Sequence, residues 1–185
     1  YTEKDGYPPI KINRKISQVK ESISIRGDIS SQYISSLLMI APVLPNGLKI
    51  DVMPPFYSKP YVMMTLNLMK KFGIKYDLSE DSISINNQEY KSGSYKVESD
   101  WSAASYWYSF ISINKKLKEI KLKGLREHSF QGDQVIKKIM TLFNVETLYD
   151  KDGIILRKKD FDCDYLELDF KDCPDLAQTV LVVAA

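Results

Sequence analysis

Residues 22–42 read SISIRGDISSQYISSLLMIAP, and the hydrophobic period changes within that stretch. Ile23 and Ile25 alternate with polar neighbours, the pattern of a strand with one buried face. Beyond Gly27 the apolar side chains return at helical spacing, at Tyr33, Leu37, Leu38 and Ile40, with Asp28 or Ser30 as candidate N-cap and Pro42 as the stop. An Asp followed at once by an apolar or small-residue helix recurs at Asp100, before WSAASYWYSFISI, and at Asp175, before LAQTVLVVAA, 72 and then 75 residues further on. A second pair of stretches keeps the same period. LMKKFGI (68–74) lies 71 residues before IMTLFNV (139–145), which sets Phe72 against Phe143, Gly73 against Asn144 and Ile74 against Val145. Self-similarity at a fixed period points to one unit used more than once.

The unit can be written out. GLKIDVM (47–53) reads as a second strand, and SKPYVMMTLNLMKKFG (58–73) as a helix capped by Ser58, with Pro60 in its first turn. Met63, Leu66 and Met69 line one face of that helix and Gly73 ends it. Short strands are expected near 74–77, 82–85 and 94–98. The second copy predicts a helix at 101–113, a strand at 118–123, a helix at 131–143, and strands near 145–149, 153–157 and 164–169. The expected fold class is therefore α/β (α+β), built of repeated βαβαββ units, with two complete copies and the start of a third. Each helix has one apolar face that must be covered by a sheet or another helix, so several copies are needed to enclose them. The copies meet near Val97 and Glu98 without a linker. Either they share one core or the chain crosses there between two domains, 1–97 and 98–185. An incomplete third unit would leave the apolar face of 176–185 uncovered.

Composition narrows the function classes. A chain of 185 residues, 44% hydrophobic and 27% charged, is neither disordered nor fibrous and can bury a sizeable core. A net charge of +2, with lysines spread over both halves, gives no electrostatic case for nucleic acid. No apolar run approaches the ~20 residues of a membrane span, and no signal peptide opens the chain. Cys163 and Cys173 are near enough in sequence to pair, but so few cysteines fit a reducing compartment better than a disulfide framework. No metal-ligand cluster is visible, and the single histidine, His128, reads as a surface-loop residue. The start at Tyr1 rather than Met and the end in LVVAA suggest a piece of a longer protein.

The candidate chemistry sits at helix N-termini. Ser30, Ser31 and Gln32 open the first helix and Ser58 the second, where unpaired N–H groups and the positive end of the dipole make a seat for phosphate. Capping alone would explain a single serine. Gln32 is not needed for a cap, and both helices follow equivalent strands, so their ends could converge on one ligand.

Five segments in this order, GDISSQYISSLLMIAP (27–42), SKPYVMMTLNLMKKFG (58–73), ESDWSAASYWY (98–108), QGD (131–133) and CPDLAQTVLVVAA (173–185), resemble the 5-enolpyruvylshikimate-3-phosphate synthase family, from about Tyr7 to Ala185. The resemblance implies six copies of the unit in two hinged domains. It also implies transfer of the enolpyruvyl group of phosphoenolpyruvate to the 5-hydroxyl of shikimate 3-phosphate, with loss of phosphate, by addition and elimination and without metal or organic cofactor. By the motif match, Ser30, Ser31 and Ser58 would hold the substrate phosphate and Gln32 would reach the ring. Tyr61 would stand nearby as a wall, and Asp175 would meet the shikimate hydroxyls as proton acceptor. Only the motif singles out Asp175; Asp28 and Asp100 read as caps, Lys59 and Lys70 as solvated helix lysines, and Cys173 as a packing residue. The family places this activity in chorismate and aromatic amino-acid biosynthesis, in the cytoplasm, in a monomeric enzyme.

Two departures stand out. The family's Glu-Gly-Asp is here Glu98-Ser99-Asp100, followed by the bulky Trp101, so packing there should differ. The lysines and arginines that hold phosphoenolpyruvate in the family fall outside this chain, which alone would be inactive. The rival readings are the sibling transferase acting on UDP-N-acetylglucosamine, a non-catalytic binding module of the same units, and a paralogue without turnover. Ser30-Ser31-Gln32 together with Ser58-Lys59-Pro60-Tyr61 argues for the shikimate enzyme.

Overall fold

A computed structural model describes residues 7–8, 17–160 and 165–185. Cys163 lies outside them; Cys173 is buried and free. The chain is a mixed α/β protein, with two sheets and five α-helices among the described residues. In the first half the order is β1 (Ser22–Arg26), α1 (Ser31–Ile40), β2 (Leu48–Met53), α2 (Lys59–Lys71), β3 (Asp77–Leu78) and β4 (Ser82–Ile85). Their sheet runs β1-β2-β4-β3, with β1 parallel to β2 and the other pairs antiparallel. The second half contains α3 (Trp101–Ile113), β5 (Glu119–Lys123), a 3₁₀ turn (Gly132–Val135) leading into α4 (Ile136–Thr141), β6 (Val145–Asp150), β7 (Gly153–Lys158) and α5 (Pro174–Ala184). Its sheet runs β5-β7-β6, antiparallel throughout.

Two expected strands are not formed. Residues 94–98 make no ladder; the Lys96 carbonyl accepts from the Arg126 guanidinium at 2.9 Å, and just beyond the segment Ser99 N–H donates to the Gly124 carbonyl at 2.9 Å. Residues 165–169 also lie outside any sheet, and residue 164 outside the described residues. Both segments alternate apolar and polar residues, but alternation alone makes no strand without a ladder to a partner strand. The helix expected over 131–143 is split, a 3₁₀ turn and then a short α-helix.

Buried side chains fall into two clusters. One gathers Ile34, Leu38, Ile50, Val52, Val62, Leu66, Met69, Ile74, Ile83 and Ile85 of the first half. The other gathers Trp101, Tyr108, Ile111, Ile136, Met140, Val145, Ile154, Leu156, Leu176 and Val180 of the second. The face that α1 buries is Ile34 and Leu38, with Leu37 and Ala41 beside them, a spacing of i, i+3, i+4 and i+7. Tyr33 and Ile40, expected on that face, are exposed. Met63 is only partly buried, and Val62 takes its place inside. Trp101 is fully buried at the start of α3, the Lys137 ammonium lying 5.9 Å from its ring centroid. Helix α5 docks on α3 through Leu176, Thr179 and Val180, so its apolar side is partly covered, while Leu181 and Val182 stay exposed.

The match of Gly73 with Asn144 has a backbone cause. Both follow a helix with positive φ, +85° and +67°, and each is followed by a buried residue, Ile74 and Val145. Left-handed conformation is open to glycine and tolerated by asparagine among the other residues. Asn144 also carries a buried side-chain oxygen without a hydrogen-bond partner. Gly73→Ala should therefore cost about 1–2 kcal/mol in urea unfolding, whereas Asn144→Gly should be neutral or stabilising by up to about 1 kcal/mol. Equal losses at the two positions would refute this account of the helix ends.

Candidate functional site

Because β1 and β2 run parallel, the helices that follow them start at the same edge of the sheet. Their junctions are tied together, Gly27 N–H donating to the Met53 carbonyl at 2.8 Å and Tyr57 N–H to the Gly27 carbonyl at 3.1 Å. The N-termini of α1 and α2 open into one cleft of about 490 Å³. Its lining holds Ser30, Ser31, Gln32 and Ser35 from α1 and its cap, Ser58, Tyr61, Met64 and Thr65 from α2, and Pro174 and Asp175 from α5. All five residues singled out from the sequence, Ser30, Ser31, Gln32, Ser58 and Asp175, thus line the same space, and Tyr61 stands among them.

Each is held differently. Ser30 is the N-cap of α1, its Oγ accepting from Gln32 N–H at 3.3 Å. Ser31 and Gln32 are the first two residues of the helix, and neither α1 nor α2 has an acidic residue in its first turn, so both positive ends remain uncompensated there. Ser58 occupies the cap position of α2 but does not cap it. Its backbone sits in the left-handed region at φ 57°, and its hydroxyl makes no cap hydrogen bond. A capping hydroxyl reaches the helix amides from extended dihedrals, and left-handed backbone costs a non-glycine residue about 1–2 kcal/mol. The Ser58 N–H instead donates to the Lys171 carbonyl at 3.1 Å, which fixes the turn and leaves the hydroxyl unused by the helix.

Asp175 is the second residue of α5, after Cys173 in the cap position and Pro174. Its carboxylate is exposed to the cleft at the positive end of that helix. Helix α5 is anchored behind it by Ser109 Oγ, which donates to the Thr179 carbonyl at 3.0 Å. The three repeated aspartates therefore have three roles. Asp100 caps α3, accepting from Ser102 N–H at 2.8 Å. Asp28, read as a cap, is paired with Arg26, which also holds its carboxyl below the usual range. That correction follows from Ser30 taking the cap position.

One functional contact was not read from the sequence. The Tyr61 hydroxyl donates to Asp133 Oδ1 at 2.7 Å, across 72 residues of chain and between the two halves. Burial, followed by that hydrogen bond, raises the Tyr61 phenol well above its ordinary value. Burial also raises Asp133; the Tyr61 bond opposes this, while Asp175 and Asp100 add to it. Burial pushes the neighbouring Cys173 thiol up to about 11, so it is a neutral packing group rather than a nucleophile. QGD was visible as a motif, but nothing local in it names Tyr61 as the partner.

The lining carries no lysine or arginine among the described residues. Lys59 points elsewhere, 5.7 Å over the Phe56 ring, and Lys70 and His128 are exposed. No group of three or more His, Cys, Asp or Glu side chains is disposed to hold a metal ion among the described residues, and no described helix is long and apolar enough to cross a membrane. The cleft can thus hold an anion by hydroxyls and helix N–H groups, beside one carboxylate able to take a proton.

Over residues 1–185 the chain matches the family model for EPSP synthase (3-phosphoshikimate 1-carboxyvinyltransferase). A 3-phosphoshikimate 1-carboxyvinyltransferase of Bacteroides fragilis is 42% identical over 186 residues, covering 100% of this chain and 45% of that protein. Proteins of the same name from Buchnera aphidicola subsp. Baizongia pistaciae and Methanocaldococcus jannaschii are each 37% identical, covering 100% and 97% of this chain and 42% and 41% of their own lengths. The chain thus spans less than half the length of these curated relatives. With a match running its whole length, the chain belongs to the EPSP synthase family.

Proposed function

We propose that this chain forms part of an enzyme that transfers the enolpyruvyl group of phosphoenolpyruvate to the 5-hydroxyl of shikimate 3-phosphate, releasing phosphate. The observation that carries the proposal is the convergence of Ser30, Ser31, Gln32, Ser58 and Asp175 on one cleft in a chain of this family. Relatives bearing the name 3-phosphoshikimate 1-carboxyvinyltransferase favour this substrate over a UDP sugar. Ser30, Ser31 and Ser58 seat the phosphate of shikimate 3-phosphate, Gln32 reaches its ring, and Asp175 accepts the proton of the attacking hydroxyl. Removing that proton as the carbon–oxygen bond forms makes the hydroxyl a competent nucleophile, and the reading is supported by Asp175 being the carboxylate in the cleft lining. The residues implied need neither metal nor organic cofactor. We further propose that 1–97 and 98–185 belong to two hinged domains of repeated βαβαββ units, a division supported by the two separate clusters of buried residues. The enzyme is read as a cytoplasmic monomer of aromatic amino-acid biosynthesis.

Three outcomes are expected. In the full-length enzyme, Ser30→Ala with Ser31→Ala should weaken shikimate 3-phosphate binding by about 2–4 kcal/mol, at roughly 1–3 for each charge-assisted hydrogen bond. Calorimetric titration checks this, and unchanged affinity would return both serines to helix capping. Asp175→Asn keeps the size of the side chain and removes its basicity, so turnover should fall about 10²-fold or more, while Asp28→Asn, which disturbs only a surface pair with Arg26, should be mild. Equal effects on kcat would remove Asp175 from the mechanism. The 185-residue chain alone should release no phosphate in a coupled assay with both substrates saturating, since its cleft lining has no cation to hold phosphoenolpyruvate; steady release above a Ser30→Ala, Asp175→Ala control would contradict the divided site.

A further inference from the structure

The QGD segment is not used by the proposed chemistry, yet it makes the closest contact between the two halves. Gln131 holds the crossing segment, its Oε1 accepting from Trp101 N–H at 2.8 Å and its Nε2 donating to the Ser99 carbonyl at 2.9 Å. Gly132 packs against α2; a Cβ there would come within 2.6 Å of the Pro60 Cβ, so any side chain would push the two halves apart. Asp133, only 5% exposed, then reaches Tyr61. Gly132 and Asp133 bring the 3₁₀ turn of the second half against the first turn of α2, which carries Tyr61, while Gln131 ties that turn to the start of α3.

The geometry points to Asp133 as a positioning residue: by accepting the Tyr61 hydroxyl proton it fixes the phenol on the cleft wall and leaves its oxygen as a hydrogen-bond acceptor for a ligand hydroxyl. A phenol has one proton, and at 2.7 Å that proton is committed to Asp133. Any third group at the Tyr61 oxygen meets lone pairs only, so that wall of the cleft favours a ring bearing hydroxyls over a bare anion. Seat and wall then divide the recognition, the serines reading phosphate and the Tyr61–Asp133 pair reading the hydroxylated ring. This rests on the cleft being the shikimate 3-phosphate site.

A double-mutant cycle tests it in the full-length enzyme, with Tyr61→Phe, Asp133→Ala, Asp133→Asn and the combinations with Tyr61→Phe, each titrated with shikimate 3-phosphate and with inorganic phosphate. Tyr61→Phe and Asp133→Ala should each lower shikimate 3-phosphate affinity about 5- to 20-fold and leave inorganic phosphate within about twofold. Adding either Asp133 change to Tyr61→Phe should bring no further loss, because Asp133 acts through the phenol. Asp133→Asn keeps an accepting oxygen and should lose less than Asp133→Ala; it carries the cycle if the alanine variant does not fold. Additive losses, or equal losses for both ligands, would reduce Asp133 to a structural role and overturn the proposal. Failure of the wild type to bind shikimate 3-phosphate would overturn the substrate reading instead. The pair is then judged from the Tyr61 hydroxyl proton by NMR, which should exchange slowly in the wild type and fast in Asp133→Ala if Asp133 holds it, with Asp133→Asn between the two. Equal exchange would overturn the pairing whatever the ligand.

Discussion

The parallel pairing of β1 with β2 is the constraint on which the site depends. Ser22 to Arg26 lie in register with Lys49 to Met53, so both strands end at one edge, and each hands the chain directly to a helix. An antiparallel neighbour would send one of those helices to the opposite edge. Parallel strands require a crossover connection, which α1 supplies by packing back over the sheet through Ile34 and Leu38. The same burial that stabilises the first half therefore fixes where two helix N-termini, with their free N–H groups, come together. Fold and anion seat share one cause.

What could be read from the sequence was what depends on local pattern. All five helices and most strands follow from period, caps and stops, and Gly73 with Asn144 was legible because a left-handed position leaves few residue choices. The residues that line the cleft could be picked out where they stand at helix starts, and Asp175 only through its motif. The failures are non-local. Residues 94–98 have the pattern of a strand but pair with no other strand, and Tyr33 carries an apolar mark on the exposed side of α1. Ser58 looks like a cap, and only its backbone dihedrals show that its hydroxyl is not spent on the helix. The Tyr61–Asp133 bond joins positions whose nearness depends on how the two halves meet, which no window of sequence contains.

Hydrogen bonds cross that meeting beside the close packing of Gly132 on Pro60. Ser58 N–H to the Lys171 carbonyl and Tyr61 to Asp133 cross it directly, while the buried apolar side chains stay with their own halves. A seam without a shared apolar core gains little from burial, so its geometry depends on hydrogen-bond direction. Trp101 shows how the second half reaches that geometry despite a bulky residue after Asp100. The indole goes into the core of its own half, and its backbone N–H is taken by Gln131, the residue that begins the turn toward Tyr61.

The charge within the cleft bears on what its hydroxyls would do for a bound phosphate. A phosphate monoester carries about −1.5 to −2 charges at neutral pH, and each helix N-terminus supplies roughly half a positive charge. The ends of α1 and α2 together fall short of neutralising such a group, and Asp175 in the same cleft adds to the deficit when ionised. Hydroxyl donors lower the cost of holding such an anion without adding charge. A lysine beside Asp175 would strengthen the phosphate seat and at the same time lower the basicity of the carboxylate. Serines, which bring hydrogen bonds without charge, would avoid that conflict.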